Sequence, residues 1–323
     1  VKLIIVTEVL SDRETYRGDL SHGKLFLSTA PGMATSALLL VLCFHGALSL
    51  KICSFNIQTF GANKIAKPEV LDVILRCIAR CDITLVMEIK DSKERAFPKL
   101  VTHLNRMSSR KTEEYSYVIS ERLGKNSYKE QYGFIYRHRL VSVKATYQYP
   151  DMQSGDEDVF SREPFVVWFQ SHQAAVKDFV IIPIHTTPDT AVREIDELYD
   201  VYQDVKQQWT TAASFVIMGD FNAACGYVPK KSWGDIRLRS DSSFRWLIGD
   251  RIDTTVKQTT DCAYDRIVLR GESLIQAVSP GSVEVFDFKA AYGLTETQAL
   301  AVSDHFPVAF SVLPQRGKSG RRY

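Results

Sequence analysis

The sequence predicts an α/β fold in which two mixed β-sheets pack face to face with helices on the outside. Short apolar runs of strand length alternate with amphipathic segments along residues 50–313. This range contains no internal repeat, low-complexity linker or break in composition, which indicates one domain. Apolar residues make up 45% of the chain and charged residues 24%, values typical of a soluble globular protein with a large core.

The first three elements are predicted between residues 50 and 89. A strand is expected at 50–57, and a helix follows over 68–80 because Pro68 suits the first helical position. The apolar residues of this helix share one face: Val70, Leu71, Ile74, Leu75 and Ile78. The continuous apolar run at 83–89 predicts a second strand, which has Glu88 near its end.

The rest of the domain is predicted to consist of strands and one long helix. This helix is expected from about Pro188 to Trp209, with Thr187 as its N-cap. The apolar runs predict further strands at 115–120, 132–137, 140–148, 164–170, 179–184, 214–218, 265–269 and 306–312.

The N-terminal residues predict a targeting segment outside the domain. Residues 33–49 contain an apolar run at 37–44, and Ala47 and Ser49 occupy the small-residue positions typical of signal-peptidase cleavage. The run is too short to cross a bilayer as a helix. We therefore expect a secretory signal peptide at 33–49 and a non-native or disordered extension at 1–32. The alternative for 33–49 is a buried helix, which the lack of a basic segment before the run favours.

The remaining sequence predicts a secreted protein that passes through the endoplasmic reticulum and has no stable membrane anchor. The net charge of +2 includes four basic residues in a short tail at 314–323, namely Arg316, Lys318, Arg321 and Arg322. Attraction to polyanions therefore has to come from local patches and this tail. Two interpretations of the tail stay open: it helps to engage chromatin or lipid-coated DNA, or it is a solvated terminus.

Five cysteines follow the predicted signal peptide: Cys53, Cys77, Cys81, Cys225 and Cys262. An odd number in an oxidising compartment predicts at least one free thiol. Cys225 and Cys262 lie in polar, loop-like surroundings, and we expect them to form a disulfide. The spacings match no zinc site.

Four polar clusters lie where apolar runs end, the position at which α/β folds place their chemistry. They are Phe55-Asn56, Glu88, Gly219-Asp220-Phe221-Asn222 and Asp304-His305. Their Asn, Asp and Glu oxygens are hard ligands that suit Mg²⁺ or Ca²⁺ rather than zinc. Each cluster alone is typical of a turn or a solvated strand end, but their coincidence favours a shared site.

Two histidines at strand ends have carboxylates available as partners. These histidines, His185 and His305, would form two acid–base dyads with the carboxylates of Glu130 and Asp265. Histidine suits both proton roles because its pKa lies near neutral pH. His185 alone is more often a semi-buried structural residue, so this interpretation depends on the other clusters.

These residues belong to a set of motifs that resembles the deoxyribonuclease I family, within the endonuclease/exonuclease/phosphatase superfamily. The resemblance runs in order over residues 50–313. Its motifs are Ser54-Phe55-Asn56-Ile57, Glu88, 126–130, 160–164, His185, 219–223, 262–266 and 303–305. Within the family the chain looks most like the deoxyribonuclease gamma branch, on the evidence of 88–90, 163–169 and 228–233.

The resemblance implies a four-layered α/β sandwich that nicks double-stranded DNA with Mg²⁺ and Ca²⁺, with Mn²⁺ as a substitute. It implies 5′-phosphate ends and low sequence specificity. The resemblance pairs His185 with Glu130 and His305 with Asp265 in the two dyads. Glu88 and Asn56 would bind the catalytic metal with Asp304, while Asp220 and Asn222 surround the phosphate. In-line attack on a phosphodiester requires a base, an acid and stabilisation of added negative charge. Which dyad supplies the base and which the acid stays open.

The resemblance also implies how DNA is contacted. Tyr128 and Arg162 would reach the minor groove and backbone, with Asn126 and Lys90 beside them. Such contacts carry little sequence information, so cutting should follow groove shape. Lys90 and Gln58 stand where the type member of the family has arginine, which weakens groove contacts because lysine lacks the planar fork.

Two loops resemble structural calcium sites of the family. Asp151 and Asp158 with Glu163 form the first set, in a loop that also carries Asp156 and Glu157, and Asp253 with Thr255 forms the second. Solvated loop acids are the alternative. The resemblance also supports the Cys225–Cys262 pair.

The expected protein is a monomer that acts on double-stranded DNA, including chromatin. Phe165 replaces a small residue at the type member's actin contact, so we expect weak or absent actin binding. Two competing functions are a same-fold phosphodiesterase acting on another phosphate ester, and a catalytically silent DNA- or actin-binding protein. Tyr128, Arg162 and the duplicated dyad favour a nuclease over the phosphodiesterase, and the presence of all the inferred catalytic side chains favours an enzyme over the silent binding protein.

Overall fold

The computed structural model describes residues 49–107, 115–152 and 157–315. Its strands are β1 (Leu50–Phe60), β2 (Ile83–Ile89), β3 (Tyr115–Ile119), β4 (Gln131–Arg137), β5 (Val141–Gln148), β6 (Phe165–Ser171), β7 (Asp178–His185), β8 (Phe215–Asp220), β9 (Phe244–Trp246), β10 (Asp265–Arg270), β11 (Glu284–Val285) and β12 (Val308–Val312). The α-helices are α1 (Ala62–Ile65), α2 (Pro68–Ala79), α3 (Ala96–Met107), α4 (Ala191–Gln208), α5 (Arg237–Ser240), α6 (Glu272–Gln276), α7 (Phe288–Ala291) and α8 (Glu296–Val302). Two 3₁₀ turns lie at Pro188–Thr190 and Lys230–Asp235.

The strands form two six-stranded sheets, which confirms the predicted pair of mixed sheets. The first has the order β11-β12-β1-β2-β4-β3 and the second the order β5-β6-β7-β8-β10-β9. The central pairs β1–β2 and β7–β8 are parallel, and the other pairs are antiparallel. Parallel strands covered on both faces read as continuous apolar runs, which is why these strands were visible in the sequence.

Three apolar cores separate four layers. Leu85 of β2 and Ile181 of β7 belong to the core between the two sheets. Their neighbours point the other way, because successive side chains of a strand alternate between its faces. Val86 packs with the helices α2, α3 and α8, and Ile182 packs with α4 and α5. The helix–sheet–sheet–helix arrangement is the expected four-layered α/β sandwich.

The predicted elements are present, with ends displaced by a few residues. The strands β9 and β11 were missed because they have only three and two residues, too few to show a period. The helix α3 was also missed; its Pro98 lies in the first turn, where the absent N–H costs no hydrogen bond.

The start of the long helix differs from the prediction. Residues Pro188–Thr190 form a 3₁₀ turn, and α4 begins at Ala191. Thr187 is the N-cap residue of this turn and Pro188 its first residue, as predicted, but the Thr187 side chain makes no capping hydrogen bond. The Thr187 hydroxyl instead donates to Ser161 Oγ at 2.6 Å, and its backbone N–H donates to Glu194 Oε1 at 3.0 Å.

The described cysteines form two disulfides. Cys225 pairs with Cys262, as predicted, with the Cα atoms 5.9 Å apart. Cys53 pairs with Cys81, which the sequence analysis did not identify. Cys81 lies two residues before β2, the strand that pairs with β1, and the two cysteines form a small buried cluster with Ala309. Cys77 is the free thiol; it is buried, and burial raises its pKa to about 12.

The predicted extension, the signal peptide up to residue 48 and the basic residues of the tail lie outside the described residues, as does Asp156. Within the described ranges, no helix is both long enough and apolar enough to span a membrane.

Candidate active site

Five strands, β1, β2, β7, β8 and β10, bring the predicted site residues to one edge of the sandwich. Asn56 lies opposite Met87 in the β1–β2 pair, next to Glu88. His185 lies opposite Asp220 in the β7–β8 pair. Asp220 in turn lies opposite Asp265 in the β8–β10 pair. Register groups these side chains within each sheet, and the packing of the two sheets brings the groups together, with Asn56 Nδ2 3.1 Å from Asp220 Oδ2.

The first dyad joins His185 to Glu130. His185 Nδ1 lies 2.7 Å from Glu130 Oε2, and both residues are buried. Burial would raise the pKa of Glu130, but the hydrogen bond and charge of His185, with the charges of Arg162 and Lys90, lower it to about 2. Glu130 is therefore a carboxylate at neutral pH and can orient the imidazole.

The second dyad joins His305 to Asp265 at 2.7 Å, from His305 Nδ1 to Asp265 Oδ2. Burial would lower the pKa of His305, but the negative charges of Asp265 and Asp220 outweigh it and hold this pKa well above 6.5. Burial raises the pKa of Asp265 to about 6 against the opposing effect of His305. His305 keeps the higher proton affinity, so the pair is an imidazolium–carboxylate pair near neutral pH.

Asp220 stands between the two dyads. Its Oδ2 atom lies 3.6 Å from His185 Nε2 and 3.5 Å from His305 Nε2. The backbone N–H of Asn222 donates to Asp220 Oδ1 at 3.0 Å, and the Asn222 amide donates to the carbonyl of Thr186 at 3.1 Å. The carboxylate is thereby fixed with one oxygen facing both imidazoles.

A group of hard oxygen donors lies beside the dyads. The Asn56 amide nitrogen is 3.2 Å from Glu88 Oε1 and 3.1 Å from Asp220 Oδ2, so the two carboxylates converge on one point. Asn56 Oδ1 is buried and has no hydrogen-bond partner. Amide, Asp and Glu oxygens are ligands that Mg²⁺ prefers. The donor set therefore fits a divalent metal.

The three residues Asp220, Asp265 and His305 also place ligand atoms within 4.8 Å of one another. The Nδ1 atom of His305 is already bound to Asp265. A carboxylate on Nδ1 leaves Nε2 available and is also the usual partner of a metal-binding histidine, so this group is both a dyad next to a carboxylate and a candidate place for a cation.

Unusual backbone geometry places several of these side chains. Glu88 has φ 56° and Asn222 has φ 47°, in the left-handed region that non-glycine residues rarely adopt. The β1–β2 register shifts between Asn56 and Phe60, and the β2–β4 register shifts around Glu88. Bulges of this kind re-aim side chains next to active sites. The backbone is thus strained where the candidate metal ligand leaves the sheet.

Gln58, which stands where the type member of the family has arginine, holds Asp304 in place. Gln58 Nε2 donates to Asp304 Oδ2 at 2.9 Å, while Asp304 Oδ1 is buried without a hydrogen-bond partner. Ser303 Oγ donates to the carbonyl of Asn56 at 2.6 Å and so ties the Asp304 segment to β1. Ser303 is part of the 303–305 motif, but its bond to Asn56 could not be predicted because the two residues are 247 positions apart in sequence.

The predicted DNA-contacting residues fall into two environments. The side chains of Tyr128, which is 59% exposed, and of Asn126 lie on the surface. Lys90 is largely buried, and its ammonium contacts both the hydroxyl and the ring face of Tyr128. Lys90 Nζ also lies 2.8 Å from Glu88 Oε2. Arg162 is 9% exposed, and its guanidinium donates to the carbonyl of His185 at 2.9 and 2.7 Å. In this structure Arg162 therefore supports the first dyad directly.

The two predicted calcium loops also differ. Asp151, Asp158 and Glu163 place ligand atoms within 4.8 Å of one another, and Asp151 Oδ1 is buried without a hydrogen-bond partner. These features fit a cation. Asp253 Oδ1 instead accepts hydrogen bonds from the N–H and hydroxyl of Thr255 and from the N–H of Cys262. In the second loop, Asp253 Oδ1 is therefore already used by three hydrogen bonds from the loop itself.

The fold and the site together define a class of protein. The Endonuclease/Exonuclease/phosphatase family model matches residues 53–305, so the chain belongs to this family. Deoxyribonuclease gamma of Homo sapiens is 61% identical over 279 residues, which cover 86% of this chain and 91% of the relative. Deoxyribonuclease-1 of Bos taurus is 51% identical over 262 residues, which cover 81% and 91%. The resemblance found in the motifs is thereby confirmed.

Solved structures agree on the fold. An endonuclease/exonuclease/phosphatase from Bacteroides vulgatus has a TM-score of 0.55 at 15% identity, covering 83% of this chain and 100% of that chain. At this identity the similarity shows the sandwich architecture alone.

Proposed function

We propose that this protein is an endodeoxyribonuclease that hydrolyses phosphodiester bonds of double-stranded DNA to 5′-phosphate ends, with divalent metal and low sequence specificity. The observation that carries the proposal is the convergence of two histidine–carboxylate dyads on one oxygen of Asp220. Deoxyribonuclease relatives at 51% and 61% identity support DNA as the substrate.

The dyads supply the two proton transfers that the reaction requires. Glu130 and Asp265 each bind the Nδ1 atom of their histidine, which leaves Nε2 of both rings facing the phosphate position. One imidazole removes a proton from the attacking water, and the other donates a proton to the departing 3′ oxygen. We place Asp220 and Asn222 around the phosphate, where the Asn222 N–H holds the Asp220 carboxylate that faces both imidazoles.

Glu88 and Asn56 are the residues we assign to the metal, with Asp304 next to them and Asp220 shared with the phosphate site. When bound, Mg²⁺ supplies Lewis-acid stabilisation of the added negative charge, and Mn²⁺ accepts the same hard-oxygen donors. The Glu88 side chain suits this role because its pKa is lowered and it is therefore ionised. Burial would raise the pKa of Glu88, but the charge of His185 and the hydrogen bond from Lys90 lower it by more.

Calcium is assigned a structural role. Burial raises the pKa of Asp151, the nearby charges of Glu163 and Asp158 add to the increase, and a bound cation would relieve that repulsion. Asp253 and Thr255 are a second proposed calcium loop.

We assign DNA contact to Tyr128 and Asn126 on the surface, with Lys90 packed beneath the tyrosine ring. Stacking and backbone contacts of this kind read groove shape rather than base sequence. Arg162 adds positive charge below the same edge while it holds the His185 carbonyl.

The remaining aspects of the proposal concern location and partners. Two disulfides support an oxidising compartment and hence secretion through the endoplasmic reticulum. We propose a monomer that cuts naked DNA and chromatin and binds actin weakly or not at all, because the aromatic Phe165 lies at the relevant position. Nanomolar inhibition by monomeric actin would contradict the last point.

A plasmid-nicking assay with Mg²⁺ and Ca²⁺ tests the function. Wild type should relax supercoiled DNA, EDTA should stop it, and His185→Ala and His305→Ala should each lose at least about 10²-fold in rate. The matched control is His172→Ala, an exposed histidine outside the site. DNA binding without cutting would support the silent-binder alternative, and hydrolysis of a small phosphate ester without nicking would support the phosphodiesterase.

A further inference from the structure

Lys64 is a half-buried lysine behind the candidate active site. It belongs to α1, directly after β1, and its ammonium donates to the backbone carbonyls of Gln58 and Val302. The Val302 bond is 2.7 Å long. Gln58 is six residues from Lys64 in sequence, whereas Val302 is 238 residues away. The lysine therefore joins distant parts of the chain.

Both carbonyls lie where regular backbone pairing stops. Gln58 falls within the register shift between Asn56 and Phe60, where the ladder to β2 is interrupted. Val302 is the last residue of α8, and the final carbonyls of a helix have no partner within it. A lysine near a helix C-terminus commonly binds such carbonyls and also complements the helix dipole. One ammonium thus serves one carbonyl from each segment.

The two segments carry the candidate metal-site residues. On the β1 side, the backbone N–H of Thr59 donates to Glu88 Oε2 at 2.9 Å. Across the junction, Gln58 Nε2 donates to Asp304 Oδ2 at 2.9 Å. A shift of β1 relative to the end of α8 would therefore displace Glu88 and Asp304 together.

The charge of Lys64 matches this location. The negative charges of Glu88 and Asp304 favour its protonated form, and the positive charges of Lys67 and Lys90 oppose it. Burial lowers its pKa to about 8, yet the lysine keeps its proton near neutral pH.

We propose that Lys64 is a positioning residue of the candidate active site, which holds the β1 bulge and the end of α8 together and so sets the separation of Glu88 and Asp304. This inference rests on the proposed nuclease function. Lys64 itself contacts backbone carbonyls, so its effect on the reaction is transmitted through Gln58 and the Asp304 segment.

The test compares Lys64→Met with Lys64→Arg, using Lys67→Met as the matched control, because Lys67 is an exposed lysine three residues away. Plasmid nicking gives kcat and KM, and hydrogen exchange gives local opening in the absence of substrate. Lys64→Met should lose about 10²-fold in kcat with little change in the KM for DNA, because small displacements of site residues have effects of this size. Lys64→Arg keeps charge and donors and should recover activity to within about tenfold of wild type.

Exchange should increase in peptides covering 57–60 and 302–306 of Lys64→Met, and peptides from β7 and β8 should stay at wild-type values. If Lys64→Met does not fold, Lys64→Gln takes its place with the same expected results. Unchanged kcat, or exchange raised throughout the domain, would overturn the positioning role. A wild-type protein that nicks no DNA would refute the proposed function, and the exchange comparison would still decide whether Lys64 joins the two segments.

Discussion

His185 ends β7 and His305 precedes β12 of the other sheet, yet their Nε2 atoms lie 3.6 and 3.5 Å from the same oxygen of Asp220. Each ring is held at Nδ1 by its own carboxylate, at 2.7 Å in both cases. This arrangement places the Nε2 atoms of two imidazoles, both able to carry a proton, beside the Asp220 carboxylate. Their surroundings differ, however, because several carboxylates face His305.

The first prediction assigns the acid. Since the charges of Asp265 and Asp220 overcome burial and keep the pKa of His305 well above 6.5, His305 should be the imidazolium that protonates the departing 3′ oxygen. A substrate with sulfur in place of that oxygen needs no acid. On it, His305→Ala should come within about tenfold of wild type, while His185→Ala should stay at least about 10²-fold slower. Recovery of His185→Ala instead would reverse the assignment.

The second prediction concerns stability against acid. The pKa of Glu130 is about 2 in the folded protein, below its ordinary value of 4.5. Its contribution is therefore fully present above about pH 4.5 and is lost as the pH falls through about 2, with a size of about 3 kcal/mol. Urea unfolding should show Glu130→Gln less stable than wild type at neutral pH, with the difference closing near pH 2. The exposed Glu121→Gln is the control; a Glu130→Gln difference independent of pH would contradict the prediction.

The third prediction concerns the close approach of β7 and β8 at the site. Gly219 has φ 145°, and a Cβ there would lie 1.9 Å from the carbonyl oxygen of Ile184. Gly219→Ala should therefore reduce the free energy of unfolding by about 2–4 kcal/mol, through backbone strain and steric overlap. Denaturant unfolding measures this. Gly226→Ala is the matched control, because a Cβ there meets no atom within 4 Å; equal effects of the two substitutions would refute the argument.

The fourth prediction tests the first calcium loop. Calcium at roughly a hundredfold excess over its Kd should raise the melting temperature of wild type by about 5–10 °C, because binding to the folded state alone adds stability. Asp158→Asn should abolish most of this increase, and EDTA should reverse it in wild type. The control is Asp235→Asn, an exposed acid outside the loop. A calcium response that survives in Asp158→Asn would place the ion elsewhere.

Much of the fold could be predicted from local pattern. The buried strands β2 and β7 read as continuous apolar runs because both of their faces are covered. The missed strand β11 has two residues and forms through its pairing with β12, which no periodicity records. The N-cap position of Thr187 was predictable, but the 3₁₀ turn that follows it and the bond from its hydroxyl to the distant Ser161 were not, because both depend on tertiary contacts.

By itself, the sequence determined which side chains stand at the ends of apolar strands, and its motifs paired each histidine with its carboxylate. These features were predictable because a buried strand requires a continuous run of apolar residues, and the end of that run is visible in a short stretch of sequence. Only the tertiary structure decided that both imidazoles converge on Asp220, that Cys53 meets Cys81 and that Lys64 joins two segments. The Asn56–Asp220 contact, for example, spans 164 residues and exists because the two sheets pack together. Such contacts depend on layer packing and strand register, which no short stretch of sequence contains.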